Sequence, residues 1–335
     1  MADKLFAIRN YFFLGSYQSC IGEALKFQTK SEEEKQEKDV YLYRAYIAQG
    51  QAFIPLKEIP ATTKSADLAA VRKFAEFRNN PAAQKKILAE IKEEVASKSL
   101  KSEIAGVLAA AILNEADVRD LSLEKRENSK KFKFSSRKIE KNRKNSFPQI
   151  FEFGKLFKDI FTSSQTEDAF RAVSRFDGLE ARASKVFTLI KMNKRKLAIQ
   201  EVKKMNQIDE DATLSQLANA LVASFGASGK VKDALYIYSE MADKYGRTTD
   251  LEMHQAIVSV LTQDYAAAEE LLESSLERDN KDADVLINSL VAAQLNEKDD
   301  EITERYLSQL KHEHPSHPWV VDFTRKEDEF DSIAF

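Results

Sequence analysis

The chain has 335 residues, of which 43% are hydrophobic and 31% charged, with nine glycines and six prolines that leave long stretches free of breakers. Alternating β-branched runs bounded by turn signals are nearly absent, so a substantial sheet is excluded and many amphipathic helices are expected. The net charge of −3 argues against general nucleic-acid binding, no stretch approaches eighteen consecutive apolar residues, and the single cysteine, Cys20, excludes an internal disulfide.

Met1-Ala2-Asp3-Lys4 runs straight into an amphipathic pattern, so no signal peptide is expected, and the lone cysteine fits a reducing cytosolic compartment. Gly15-Ser-Tyr17 follows as a turn, then Cys20, Ala24 and Phe27 at the spacing of one helix face. Thirty-five residues on, Tyr43, Tyr46 and Gly50 stand where Ile8, Tyr11 and Gly15 stood. Less regular helices are predicted over roughly 66–78, 81–96 and 99–115. Phe170, Val173 and Phe176, and then Leu197, Ala198, Val202 and Met205, read as second helices of two further units.

The C-terminal third carries a period of thirty-four residues. Ala268, Leu272 and Leu276 are preceded by Ala234, Tyr238 and Ala242, and followed by Ile302, Tyr306 and Leu310. A small residue lets two antiparallel helices approach, and a large one four positions later fills the hole beside it. The first helices agree, with Val222 and Phe225, Ala256 and Ser259, and Leu290 and Ala293 one repeat apart, although the hallmark Trp and Gly are missing. The expected fold is all-α: a tetratricopeptide-like solenoid, a right-handed superhelix of antiparallel helix pairs.

Five ordered blocks give this pattern a more specific likeness: Leu14-Gly-Ser-Tyr-Gln-Ser-Cys-Ile21, Asp39-Val-Tyr-Leu-Tyr-Arg-Ala-Tyr-Ile-Ala-Gln49, Asp209-Glu-Asp-Ala-Thr-Leu-Ser-Gln-Leu-Ala218, Glu240-Met-Ala-Asp-Lys244 and Arg305-Tyr-Leu-Ser-Gln-Leu-Lys311. Together they resemble the epsilon subunit family of coatomer, the COPI vesicle coat, over about 5–110 and 166–331. The resemblance implies a non-catalytic structural subunit of the heptameric coatomer that acts in Golgi-to-ER retrograde and intra-Golgi transport. It implies a cytoplasmic protein, peripheral on Golgi membranes and COPI vesicles, whose concave surface grips the C-terminal region of the alpha subunit. The expected organisation is N-terminal helical repeats over 1–116, an atypical insertion over 117–165, tetratricopeptide-like repeats over 166–318, and a tail or capping segment over 319–335.

The insertion departs from the family pattern. Residues 125–144 hold ten Lys or Arg against two Glu, so this segment is +8 and the remainder is −3 − 8 = −11. Its Lys, Asn, Ser and Phe content reads as a basic, disordered insert, from an unusual splice form or translated non-coding sequence. Phe132 and Phe134 interleave with Lys, but no RNA-binding motif accompanies them.

Candidate sites reduce to one. His312, His314 and His317 lack a fourth ligand for zinc, and Pro315 and Pro318 mark the end of the last repeat instead. Cys20 has no neighbouring His and is expected to pack at a helix crossing. No phosphate loop, cofactor motif or nucleophile constellation is present, so no metal, no cofactor, no small-molecule substrate and no enzymatic activity are expected. Phasing the repeat places Leu5, Arg9, Phe12, Val40, Arg44, Ile47, Met253, Ile257, Val260, Ile287 and Val291 toward the concave side, with Asn219 among them. Exposed apolar area costs about 25 cal/mol per Å² relative to burial, so an apolar groove implies a resident partner. The alternative is a superhelix tight enough for these residues to meet one another. A different function on the same fold is a peptide adaptor or co-chaperone module, which needs a clamp of cations and amides; Arg9, Arg44 and Asn219 are too scattered to supply one.

Overall fold

The computed structural model describes residues 4–129, 164–225 and 230–331, with side chains described throughout except over 117–129 and at 164. Seventeen α-helices and no strand occur among the described residues. The N-terminal ones are α1 (Phe6–Phe13), α2 (Tyr17–Lys26), α3 (Glu32–Ala48), the short α4 (Phe53–Glu58), α5 (Ala66–Asn79), α6 (Gln84–Ala96) and α7 (Glu103–Ser129). Then come α8 (Ser164–Ser174), α9 (Leu179–Lys191), α10 (Arg195–Ile208), α11 (Thr213–Ser224), α12 (Val231–Tyr245), α13 (Thr249–Leu261), α14 (Tyr265–Arg278), α15 (Ala283–Leu295), α16 (Asp300–Glu313) and α17 (Pro318–Asp331).

Local chemistry starts these helices. Ser31, Ser65, Thr248, Asp264 and Asp282 each accept a hydrogen bond from a first-turn backbone N–H, and three glutamates open α3, where the helix dipole favours negative charge. One reversal recurs at the ends of α1, α3, α6, α9, α13 and α15. There the chain takes a positive φ at Gly15, Gly50, Lys98, Asn193, Gln263 and Glu297. The following N–H closes back onto the last turn, as in Ser16 N to Tyr11 O at 2.8 Å and Asp264 N to Ser259 O at 2.9 Å.

Helices then pack as neighbouring antiparallel pairs, α9 with α10, α11 with α12, α13 with α14 and α15 with α16. Ala24, Ala198, Ala234 and Ala268 are fully buried at the crossings, beside the buried larger groups Cys20, Met205, Tyr238 and Leu272. The all-α repeat architecture expected from the period is therefore present. One boundary differs from the expectation, since α7 continues to Ser129, past residue 116; the C-terminal segment, expected as a tail or cap, is a helix, α17, whose Trp319 and Val320 pack on Leu310 and Tyr306. The rest of the basic insertion, over 130–163, lies outside the described residues.

The solenoid also touches itself at a distance. The helices α7, α8 and α9 pack in one joint, where Ala181 shares a core with Val107, Ala110, Ala169 and Val173. Far from that joint along the chain, the tip of the α1–α2 pair meets the N-terminal ends of α11 and α13.

Candidate partner-binding surface

The first helices of the C-terminal repeats, α9, α11, α13 and α15, carry equivalent positions at Phe187, Leu221, Ile257 and Val291, each the ninth residue of its helix and separated by 34, 36 and 34 residues. In a tetratricopeptide-like solenoid these helices line the inner face. Phe187 is 47% exposed and Leu261, a turn beyond Ile257, is 49% exposed, while Leu221, Ile257 and Val291 are half-buried. An apolar row therefore runs along the inner face of the repeats and is only partly covered by the chain itself.

The predicted groove residues divide. Met253, Ile257, Val260 and Val291 are half-buried on α13 and α15, and Met253 and Val260 pack at the edge of the core formed by Ala256, Ala268, Leu272 and Val285. Ile287 is buried with Leu286, Leu290, Leu310 and Val320. Leu5 belongs to the α1–α3 core with Ile8, Cys20 and Tyr41, and Val40 and Ile47 to a second core with Val71, Ala75 and Leu108. Those four, Leu5, Val40, Ile47 and Ile287, are occupied by packing between neighbouring helices.

The polar members are engaged within the chain. Arg9 pairs with Glu37 at 2.7 Å. Asn219 exchanges amide hydrogen bonds of 2.9 and 3.2 Å with Asn206. Arg44 is buried, stacks 4.5 Å over the ring of Phe12, and forms an ion pair with Glu180 at the start of α9, where Tyr41 also donates at 3.4 Å. Phe12 completes an edge-to-face cluster with Phe13, Tyr17 and Tyr41.

Arg44 and Tyr41 form part of a seam. Thr213, the first residue of α11, donates to Asn10 Oδ1 at 2.7 Å, and Thr248, the N-cap of α13, donates to the Leu14 carbonyl at 2.7 Å. Tyr17 donates to Asp250, and burial together with that carboxylate holds the Tyr17 hydroxyl well above its ordinary pKa. Leu14, only 1% exposed, shares a core with Tyr238, Leu251 and Val258. At Gly15, with φ of +76°, a Cβ would sit 2.2 Å from Asp250 Oδ2, so the turn needs glycine for its backbone and for the close approach. Asn10 Nδ2, Arg44 Nη1 and Ser215 Oγ are buried here without a hydrogen-bonding partner among the described residues.

Sequence reasoning missed Phe187, Leu261 and the seam. Phe187 sits 70 residues before Ile257, and two steps of the thirty-four-residue period land on Leu189 instead, because the step from α11 to α13 is 36 residues. The seam joins residues 234 apart and has no local signature.

The other sequence features resolve simply. Cys20 is fully buried among Ile8, Ile21 and Ala24, and burial pushes its thiol up to about 12 against the pull of Arg44. The three histidines diverge: the His314 ring lies 2.6 Å from the Lys281 carbonyl, His317 lies 3.7 Å from Asp284, and His312 is exposed. No group of metal-ligating side chains gathers among the described residues.

Known proteins resemble this chain along its whole length. The sequence profile of the family described as coatomer epsilon subunit matches residues 1–140 and 158–335. A coatomer subunit epsilon from Caenorhabditis elegans is 74% identical over 334 residues, covering 100% of this chain and 98% of the relative. Coatomer subunit epsilon-1 of Arabidopsis thaliana is 26% identical over 98% of this chain and 95% of its own length, and the Dictyostelium discoideum subunit is 27% identical over 95% and 93%. Among solved structures, a tetratricopeptide repeat protein from Parabacteroides merdae aligns with 89% of this chain and 93% of its own at a TM-score of 0.48 and 11% identity. That likeness is too weak to carry the fold, which rests on the helix pairs themselves.

Proposed function

The chain belongs to the coatomer epsilon subunit family, and from that premise we propose that this subunit of the COPI coat holds the C-terminal region of the coatomer alpha subunit on its inner face. The observation that carries the reading is the partly exposed row Phe187, Leu221, Ile257 and Val291. Four aligned first helices leave apolar area in water that a partner segment would cover, at about 25 cal/mol for each Å² removed from solvent. The role is scaffolding in Golgi-to-ER retrograde and intra-Golgi transport, and the protein performs no chemistry. Its attachment to Golgi membranes is peripheral and runs through the coat; no helix among the described residues is long and apolar enough to cross a membrane.

The co-chaperone reading is less well supported. A carboxylate clamp needs free cations and amides in the groove, whereas Arg9 is spent on Glu37, Arg44 on Glu180 and Asn219 on Asn206.

Because Ile287 is buried, a charge there would test folding and not binding. The informative variant is Ile257→Glu with Val291→Glu, checked for its helical circular dichroism and then for retention, on affinity resin, of a fragment spanning the C-terminal region of the alpha subunit. The folded variant is expected to lose the fragment at least tenfold. Unchanged retention by a folded variant would sink the proposal.

A further inference from the structure

Besides the approach of α17 to α7, residues 4–174 and 179–331 meet in two places of different character. One is the joint of α7, α8 and α9, where Val107, Ala110, Ala172, Val173 and Ala181 form a continuous apolar core. There the Glu103 carboxylate also accepts from the Ala181 N–H at 3.0 Å, and Asn114 donates to Thr188 at 3.2 Å. The other is the seam, where Asn10 and Tyr17 face Thr213 and Asp250, with the Arg44–Glu180 pair lying between it and Ala181 of the joint. Its one deeply buried apolar anchor across the interface is Leu14.

Two features mark the seam as the weaker contact. It is chiefly polar, as interfaces between parts that move relative to each other are. It also buries Asn10 Nδ2 and the Ser215 hydroxyl without a hydrogen-bonding partner among the described residues. Desolvating such groups without a partner opposes closure, and water or a partner's carbonyls satisfy them once the seam parts. The joint, although Asn114 Oδ1 is buried there without a partner among the described residues, is held by the larger apolar core and can stay closed while the seam opens.

We propose that the seam is a clasp: the α1–α2 tip lifts from the N-terminal ends of α11 and α13, admits the partner segment to the inner face, and recloses behind it. The motion is a rocking of two halves about the α7–α9 joint, and the donors exposed at the seam select a segment that offers carbonyl or carboxylate acceptors. This rests on the partner reading above.

The test fixes the clasp shut. In a chain with Cys20→Ala, the thiols of Asn10→Cys and Thr213→Cys are bridged as a disulfide by the two-electron oxidant diamide, and association with the same alpha-chain fragment is timed. Bridging before mixing is expected to slow association at least tenfold relative to the same unbridged variant, and bridging after mixing to prevent dissociation. Equal association rates with and without the bridge overturn the clasp. If the unbridged variant never binds the fragment, the partner reading fails, and a second measurement still decides the clasp. Spin labels on Ser19→Cys and Asp243→Cys, both exposed in the native chain, are expected to report a closed distance and a second, longer one in the free protein. A single narrow distance overturns it.

Discussion

Glu252 lies in the first turn of α13 with no exposed surface, in a helix whose hallmark Trp is missing. Arg278 grips it from α14 through two hydrogen bonds of 2.7 and 2.9 Å, and the Ser274 and Ser275 hydroxyls each donate at 3.3 Å. Removing the arginine would strand a buried carboxylate. Arg278→Ala is therefore expected to cost about 3 kcal/mol, the low end for a broken buried pair because Arg278 reaches solvent. The double variant Glu252→Leu with Arg278→Leu should recover most of it, and urea midpoints of the two variants make the comparison. This residue was not legible in the sequence, since its partner lies 26 positions away and its pattern position looks apolar. Asp250 offers a pH test. Burial beside Asp282 and Asp284 pushes its carboxyl above the ordinary range, against the pull of His254 and Tyr17. A carboxyl raised in the folded state contributes stability that is fully present below its unfolded pKa, about 3.9, and lost as pH rises through the folded value. Asp250→Asn should thus gain on the wild type as pH goes from about 4 to 7. A difference that stays constant over that range contradicts the assignment.

At the scale of elements, caps and turns decide where helices begin and reverse. Thr248 has two jobs: its hydroxyl oxygen accepts from Leu251 N at 3.2 Å to cap α13, and its O–H donates to the Leu14 carbonyl across the seam. Asp264 serves α14 as a cap alone. Thr248→Ala should cost about 2 kcal/mol and Asp264→Ala about 1 kcal/mol, read from thermal unfolding. Equal losses would argue that the Leu14 bond contributes nothing. The same scale explains what sequence could reveal. Gly15 and Gly50 announce the reversal of the first two units because glycine favours positive φ. Asn193, Gln263 and Glu297 make the same turn without the signal, since their hydrogen bonds and helix packing impose it. Helix pairs are therefore legible from the Ala-to-aromatic spacing, while their exact phasing is not. That is why Leu5, Val40, Ile47 and Ile287, expected on the groove, are packed between helices instead.

For the whole molecule, the seam changes the stability problem. A plain solenoid couples each repeat only to its neighbours, so stability adds repeat by repeat. Here Leu14 is built into the core formed by buried residues of 220–258. Leu14→Ala should cost about 3 kcal/mol and weaken hydrogen-exchange protection across α12 and α13, elements remote in sequence. Protection lost only within α1–α3 would show that the halves are energetically independent. Periodicity cannot disclose such a contact, because it reports which residues repeat and not which ends meet.

The Thr248–Leu14 bond also sets a clock on biosynthesis. The α1–α2 tip leaves the ribosome 234 residues before the threonine that holds it, which at 5–20 residues per second is a wait of roughly 10–50 s. Throughout that interval Leu14, Tyr17 and the Asn10 amide have no bed to lie in. The nascent chain must carry an unsealed aromatic surface for most of its own synthesis, and a chaperone or an early-bound partner is the natural guardian of that surface until α13 emerges.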